Sequence, residues 1–518
     1  CSSDLQIATR LDHQLSPRHR VFGRFAYMDW SVTFTKLPPG LRNAPVGGDP
    51  GGDLRHFYNA TFNDDFTFTP NLIGSLRFSF NRYWSDTWFS GNEQDPKALN
   101  LPPEILANQM RPSWPGIDMA EGFIRLGHRF KIRANDTYVL TPSITTLRRS
   151  HNLRLGADIR RLNWNEISPD SQAGGYFNFR PTFSQEDPWL SATSQTSGTS
   201  MADLLLGLPT SGTISGPTPY SMRGHYVALF VQDDWRITRR LTLNLGMRRE
   251  LEKPWTERYD RMLYGFDTNS PSPLQIPGLD LRGGLLFAGI DGNPRQLGFD
   301  DKNNFGPRIG LAWTVTPKTV IRAGYGLFYS SFVDNLDYVL PVPLTFSTNI
   351  PYIGTVDRGA TPYTSLANPF PQGVPPITGN SEGRAALLGD SITLVNHDRV
   401  LPYNQQWQIG FQRELPWQSM FQANFLRVLN VKGIETFNLN ETPDLYLPYG
   451  AAENLQVPNP FYGVLPASRP LGASSKVAQR QLWRRFPQYS GVTVRGFNTN
   501  TIVYHTLQLS FEKRYSHG

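Results

Sequence analysis

The connections between the predicted strands alternate strictly between short turns and long loops. The six short turns are Ser16-Pro17-Arg18, Thr69-Pro70-Asn71, Ser150-His151, Thr238-Arg239-Arg240, Thr316-Pro317-Lys318 and Leu415-Pro416-Trp417. The long stretches between them, rich in Gly, Pro, Asn and Ser, are 35–53, 90–125, 165–221, 256–302, 332–400 and 433–497. An antiparallel up-and-down barrel gives this order when tight turns occupy one rim and long loops the other. A soluble β-sandwich gives no reason for the alternation.

Hydrophobicity follows a period of two between these connections. Examples are LRLGADIR at 153–160, LTLNLGMR at 241–248, QWQIGFQ at 406–412 and LQLSFE at 507–512. Successive side chains of a strand point to opposite faces, so each segment has one apolar and one polar face. Segments 53–69, 72–89 and 401–415 exceed the ~9–11 residues that cross a bilayer. The pattern predicts an all-β fold of about thirteen strands, a transmembrane antiparallel up-and-down β-barrel.

Composition excludes some classes of protein but does not distinguish a soluble β protein from a membrane barrel. Hydrophobic residues make up 39% of the chain and the mean hydropathy is −0.39. The longest apolar runs, such as 204–208 and 226–231, fall far below the ~18–20 residues of a spanning helix, which excludes a helical membrane protein. A barrel needs no such run, because only alternate residues face lipid. Tryptophans near strand ends suit interfacial girdles or a soluble core equally: Trp30, Trp84, Trp88, Trp235 and Trp417.

Charge and cysteine usage exclude further classes. The formal net charge of +7 comes from scattered lysines and arginines, so no nucleic-acid partner is predicted. Scattered arginines are expected to face a wet lumen or lipid headgroups. The single cysteine is Cys1, which excludes an internal disulfide.

Both ends of the chain are interpreted as cut. Cys1-Ser2-Ser3-Asp4-Leu5 matches the in-frame translation of a common sequencing adapter, so residues 1–6 are predicted to be a non-native or truncated start. Amplifying the native locus upstream of Ile7 tests this. An odd strand count cannot close a bacterial barrel. Residues 7–518 are therefore predicted to be part of a barrel of about 22 strands, without its signal peptide.

Several blocks resemble the barrel of Oar-like TonB-dependent receptors of the acidobacterial type. LFVQDDWRITRRLTLNLGMRRE at 229–250 and NNFGPRIGLAWTVTPKTVIRAGYGLFYSS at 303–331 look like two of that family's hairpins. Residues 402–433 match a third hairpin, and Phe486-Pro487-Gln488-Tyr489 followed by YHTLQLSFEKRYSHG matches a fourth. SMADLLLGLP at 200–209 is similar to another family stretch. Asn303 and Gly306 are interpreted as turn residues, and Arg249 departs from the family's usual tyrosine.

The resemblance implies a role, a place and partners. Such receptors lie in the outer membrane of Gram-negative bacteria, among outer-membrane lipid and lipopolysaccharide. An N-terminal extension, a plug domain and a segment that contacts a TonB-type energy-coupling protein are expected outside this chain. No cofactor is implied. Substrate identity and the direction of transport stay open.

No catalytic, cofactor-binding or metal-binding residue is predicted, and the chain is not expected to be an enzyme. Gly198-Thr199-Ser200-Met201-Ala202 imitates the nucleophile stretch of subtilisin-like proteases, but His128 and His151 lie in unsuitable contexts, so a small-residue loop entering a strand is favoured. Asp291-Gly292-Asn293 and Asp300-Asp301 lack the spacing of an EF-hand and are interpreted as solvated loops. Asp233 and Asp234 are adjacent on a strand and are expected to face opposite sides.

Three functions remain at this point. The favoured one is a transporter barrel for uptake, or export, of a bulky substrate. The second is a surface barrel that uses its loops for adhesion or binding, without active transport. The third is a soluble secreted β protein that binds glycans, which release from membranes by carbonate or high salt would support.

Overall fold

Thirteen long antiparallel strands form one continuous wall. The computed structural model describes residues 2–34, 51–93, 97, 102–103, 115–120, 130–167, 175–187, 197–216, 219–298, 300–331, 346, 348–355, 359–371, 377–467 and 469–513. Within them, 22 strands are β1 Ser2–Ser16, β2 His19–Phe34, β3 Gly51–Thr69, β4 Leu72–Glu93, β5 Gly116–Met119, β6 Phe130–Arg148, β7 His151–Ile167, β8 Tyr176–Phe179, β9 Ser211–Gly216, β10 Tyr220–Thr238, β11 Leu241–Glu257, β12 Leu263–Pro271, β13 Arg282–Phe287, β14 Asp301–Thr316, β15 Thr319–Tyr329, β16 Thr348–Ile353, β17 Ser391–Val395, β18 Tyr403–Leu415, β19 Ser419–Asn438, β20 Gln456–Pro458, β21 Lys476–Ala478 and β22 Gly491–Lys513.

In the described ranges, helices are few and lie in the loops. They are α1 Ser200–Leu205, α2 Gln479–Trp483, and the 3-10 helices Gly383–Ala385 and Asp444–Asn454. Among the described residues, no helix has the length and apolar character needed to cross a membrane.

The wall strands follow chain order. They pair as β1-β2-β3-β4-β6-β7-β10-β11-β14-β15-β18-β19-β22, and the short loop strand β17 adds to β22 in parallel. The prediction of about thirteen barrel strands is therefore confirmed. Among the described residues β1 pairs only with β2, so the sheet is open there. All six predicted short turns are present, and every longer connection leaves from the opposite rim.

Four of the short turns contain the same local hydrogen bond. A Ser or Thr hydroxyl oxygen accepts from the backbone N–H two residues further along, at 3.1–3.3 Å. The pairs are Ser16 with Arg18, Thr69 with Asn71, Thr238 with Arg240, and Thr316 with Lys318. This bond is typical of turns that begin with a hydroxyl residue. Each of these turns also follows a one-residue shift of the strand register, which marks a bulge.

The wall is taller than a bilayer. Its strands run from 11 residues in β15 to 23 residues in β22. At ~3.3 Å per residue, 23 residues extend about 75 Å, and a tilt of about 40° leaves close to 60 Å of height. The hydrocarbon core of a bilayer is ~30 Å thick. The longest strands therefore stand clear of the hydrocarbon core on the loop side and carry the loops above it.

The two faces of the wall differ in chemistry. One, the lipid face, exposes large apolar side chains with 40–77% of their surface accessible. They include Leu11, Phe62, Phe78, Ile144, Leu155, Ile159, Leu229, Met247, Ile309, Ile409, Leu507 and Leu509. The other, the inner face, carries alternate residues such as Asp158, Arg248, Glu250, Arg308 and Gln408. The cross-strand registers keep each set on one side of the sheet, as a transmembrane barrel requires.

The long loops fold into a cap with its own hydrophobic cores. The largest core joins the hairpin β12–β13, the strand β17 and the start of β22 around Leu285, Ile392 and Phe486. A second core places Met222 and Trp255, from the tops of β10 and β11, against the loop residues Met262, Ala288 and Leu297. The sequence predicted where the loops begin and end, but not that they pack together.

Two local predictions are wrong. Asn303 and Gly306 are not turn residues, because both lie within β14; Gly306 pairs with Arg248, and Asn303 lies at a register shift between β11 and β14. The stretch from Gly198 to Ala202 does not enter a strand, because Ser200 begins the helix α1. The Thr199 hydroxyl accepts the Ala202 N–H at 3.1 Å, and this N-cap explains why the helix starts there.

Candidate functional site

A charge network lies on the inner face where β7, β10 and β11 meet. Arg248 donates to Asp158 at 3.1 Å and to Glu250 at 3.2 Å, and its Nη2 also contacts the Tyr226 hydroxyl at 3.0 Å. The Tyr226 hydroxyl donates to Glu250 at 2.9 Å. Arg160 forks onto both oxygens of Asp158 at 2.9 and 2.8 Å. Two guanidinium groups thus balance two carboxylates, so each buried charge in this part of the wall has a partner of opposite charge.

A cavity opens on the neighbouring part of the inner face, across β11, β14, β15 and β18. Its volume is about 480 Å³, and its polar lining includes Gln232, Arg308, Arg322, Gln406 and Gln408. None of the described residues that line it is a carboxylate. Excess positive charge and amide groups favour anionic or strongly hydrogen-bonding solutes here.

Glycines shape this cavity. Gly246, Gly310 and Gly324 lie on neighbouring strands and contribute no side chain to its floor. At Gly324 a Cβ atom would come within 3.1 Å of the Gln408 amide nitrogen. The glycine therefore lets Gln408 lie along the wall.

The cap is held together at residues 486–489. Phe486, Gln488 and Tyr489 are fully buried. The Asn440 side chain donates to the carbonyls of Phe486 and Tyr489, both at 2.9 Å, and accepts the Phe486 N–H at 2.8 Å. Gln488 donates to the Arg282 carbonyl at 2.6 Å, which ties this segment to β13. The block singled out in the sequence is thus a junction between three loops.

A buried arginine stands between the cap and the wall. Arg399 is 7% exposed, and burial lowers its pKa to about 10, although Glu252 acts in the opposite direction. The Ser331 hydroxyl donates to Glu252 at 2.6 Å, and Asp301 accepts the Leu401 N–H at 3.3 Å. These groups join the loop before β18 to the upper edge of the wall.

The acidic and hydroxyl residues that imitated catalytic motifs have structural roles. Asp233 contacts His151 at 2.7 Å, whereas Asp234 accepts from Asn244 at 2.5 Å on the other face, so the predicted opposite orientation is confirmed. Asp203 is fully buried and accepts the N–H groups of Thr182 and Phe183 at 2.8 and 2.9 Å.

Other candidates from the sequence are not assembled into a site. His128 and Cys1 lie outside the described residues, as does the Trp88 side chain. Asp291 has φ +52° in a loop turn. Among the residues that the structure describes, no three His, Cys, Asp or Glu side chains are grouped to hold a metal ion.

The inner-face network was missed by the sequence analysis. Its signal was present, because Asp158 and Arg160, like Arg248 and Glu250, occupy alternate positions of predicted strands. Charged residues two apart share a face of a strand. The sequence does not give the register of strand pairing. That register places Arg248 of β11 close to Asp158 of β7, with β10 between the two strands.

The chain matches a known protein family along almost its whole length. Residues 2–518 match a family model described as an outer membrane beta barrel domain. No curated protein sequence matches the chain.

Solved structures show similar chains of low identity. The outer membrane transporter YddB of Escherichia coli is 10% identical, with 97% of this chain and 44% of that chain covered and a TM-score of 0.49. The ferric enterobactin receptor PfeA of Pseudomonas aeruginosa is 10% identical, with 98% and 49% covered and a TM-score of 0.44. The ferric-catecholate import receptor Fiu of Escherichia coli is 12% identical, with 84% and 52% covered and a TM-score of 0.39. This chain spans about half the length of these structures.

Proposed function

This chain belongs to the outer membrane beta barrel domain family, and from that premise we propose that it is the barrel part of a TonB-dependent transporter. The family match confirms the predicted all-β barrel fold and the outer membrane of Gram-negative bacteria as its place. The proposal adds an energy-coupled passage for a bulky substrate. Uptake is the favoured direction, with export as the alternative.

The observation that carries the proposal is the ordered cap on the inner side of the wall. The tops of β10 and β11 turn Met222 and Trp255 inward, where loop residues bury them. Val492 and Val494 of β22 are buried by other loops in the same way. A passive pore needs an open lumen, whereas a transporter that captures its substrate needs shaped loops above a polar wall.

The resembling blocks support the Oar-like acidobacterial type. Residues 229–250 coincide with the hairpin β10–β11, residues 303–331 with β14–β15, and residues 402–433 with β18–β19. Residues 486–489 form the junction of the cap. We assign the plug and the TonB-contacting segment to parts of the whole protein outside this chain, with outer-membrane lipid and lipopolysaccharide around the barrel.

The inner-face cavity narrows the substrate class. Arg308 and Arg322 face the lumen without a carboxylate among the described lining residues. The Arg322 guanidinium donates to the Gln412 side chain at 3.1 Å, which positions it. We propose a polar substrate with anionic or multiple hydrogen-bonding groups, and a transport role without enzymatic chemistry. No observation on the described part of the chain favours adhesion over transport.

The test uses the full-length protein that contains this chain, solubilised from outer membranes in detergent. The soluble C-terminal domain of the host's TonB protein is the probe in a pull-down. Binding is expected for the full-length protein, and loss of binding for a matched protein that lacks the region before this chain. Equal recovery of TonB with both proteins, or with neither, contradicts the proposal. A full-length gene without a plug-coding region would favour the adhesion alternative.

A further inference from the structure

A row of basic side chains crosses three neighbouring strands on the lipid face. Arg161 of β7 pairs with His225 of β10, and His225 pairs with Lys253 of β11. Tyr138 of β6 continues the row beside Arg161. Neighbouring strands are ~4.8 Å apart, so the three basic side chains start within about 10 Å of one another. Arg161, His225 and Lys253 are named the cation row.

The side chains of the cation row are exposed and unneutralised. Arg161, His225 and Lys253 are all exposed, and none has a carboxylate partner among the described residues. Arg161 and Lys253 both act on His225 as like charges. Arg223 lies one step further toward the loops, hydrogen-bonded to Asn165 at 3.2 Å, and also faces Arg161 as a like charge. Among the described residues, no carboxylate compensates the positive charge collected here.

The nearby carboxylates are engaged elsewhere. Asp136, one step toward the loops on β6, holds Arg82 at 2.6 and 3.0 Å. Glu250 and Glu252 belong to β11 but are buried on the inner face. They cannot reach the lipid face, because adjacent positions of a strand point to opposite sides. No carboxylate in the described part of the chain therefore neutralises the cation row, and its exposed position leaves it open to an external anion.

A fully apolar row lies directly beneath the cation row. Leu140 pairs with Ile159, Ile159 with Val227, and Val227 with Leu251, across the same four strands. It lies two residues closer to the short turns, or ~6.6 Å along the strand. The cation row therefore marks the level at which the lipid face changes from apolar to charged. Because the long loops lie on this side, the level belongs to the outer leaflet.

We propose that the cation row binds the phosphate of a phosphorylated outer-leaflet lipid whose acyl chains lie against the apolar row. A phosphate offers several acceptor oxygens to one guanidinium, one imidazole and one ammonium group. The acyl chains cover apolar surface that water would otherwise contact. This site is separate from the inner face, so it rests on insertion into the membrane and not on the proposed transport.

The test compares lipid binding by two triple variants of the full-length protein, purified in detergent. One carries Arg161→Gln, His225→Gln and Lys253→Gln. The matched control carries Arg239→Gln, Arg240→Gln and Lys318→Gln, at exposed turns on the other rim. The probe is lipid A in mixed micelles, measured beside the same lipid after enzymatic removal of its phosphates. Free inorganic phosphate, at matched concentration, is the competitor.

The expected result is selective loss in the cation-row variant. A lysine or arginine near an anionic lipid surface contributes a factor of about five, so losing Arg161 and Lys253 weakens lipid A binding roughly twenty-five-fold, and losing the His225 imidazole removes one more hydrogen-bonding group. The control and the dephosphorylated lipid should show no such difference. Equal binding by both variants, or full displacement of lipid A by inorganic phosphate at the matched concentration, overturns the proposal.

A second measurement avoids reliance on the variant's folding. Lipid A added to the unmodified protein should raise its thermal unfolding temperature more than dephosphorylated lipid A does, because a ligand that binds only the folded state stabilises it. Identical shifts with the two lipids would refute a phosphate site.

Discussion

Replacing Arg248 by methionine tests the inner-face network most directly. Arg248 touches Asp158, Glu250 and Tyr226 at 3.0–3.2 Å. Glu250 is 8% exposed, so removing the guanidinium leaves a buried carboxylate without its cation. Breaking a buried ion pair from one side costs about 3–5 kcal/mol. Arg160 still neutralises Asp158, so the lower part of that range, about 3 kcal/mol, is expected here.

The matched control is the next residue of the same strand. Arg249 faces lipid, lies over the Phe305 ring at 5.3 Å and donates to the Lys302 carbonyl at 3.2 Å. Its replacement by methionine removes the same charge without orphaning a carboxylate, and should cost under about 1 kcal/mol. Urea unfolding of the full-length protein in detergent, followed by tryptophan fluorescence, measures both. If Arg249→Met destabilises the protein as much as Arg248→Met does, the buried ion pairs of the network add no stability beyond that of an exposed arginine, and the reasoning fails.

Three further changes probe the cap and the turns. Asn440→Ala leaves buried groups of residues 486–489 without partners and should cost about 3 kcal/mol, seen as faster proteolysis of the cap. The pKa of Asp267 is lowered to about 2, chiefly by its hydrogen bond with Ser270. Its ionised form therefore stabilises the hairpin above pH 4, and the difference in thermal unfolding between wild type and Asp267→Asn should vanish as the pH falls through 2. Thr69→Val removes a turn hydrogen bond and should cost about 1 kcal/mol, whereas Thr69→Ser should restore it.

The wall was predictable because its signals are local. Side-chain alternation has a period of two, and the turns begin with residues such as Thr69 or Thr316, whose hydroxyl accepts a bond from the chain just ahead. Neither feature depends on distant residues. The order of the strands then follows from chain order, because short turns allow only neighbouring strands to pair.

The cap was not predictable for the opposite reason. Asn440 bonds to Phe486 and Tyr489, which lie 46 and 49 residues away, and Gln488 reaches Arg282 across 206 residues. No periodicity marks such contacts, and composition showed only polar, glycine-rich and proline-rich stretches. The charge network was missed for the same reason. Asp158 and Arg160, like Arg248 and Glu250, are close in sequence, but the two pairs meet only because of the register in which β7 and β11 pair with β10.

One irregularity in β11 connects the wall to the cap. Up to Glu252, even-numbered residues of β11 face inward, but beyond it the buried positions are Trp255 and Glu257. The register between β10 and β11 shifts between Arg223 and His225, which is where the extra residue is absorbed. A bulge exchanges the two faces of a strand. Below it, β11 keeps its charged inner face and apolar lipid face. Above it, the exchanged face turns Trp255 into the cap core. The bulge lies just above the cation row, so the level at which we propose that lipid phosphate binds is also the level at which the apolar wall ends and the cap begins.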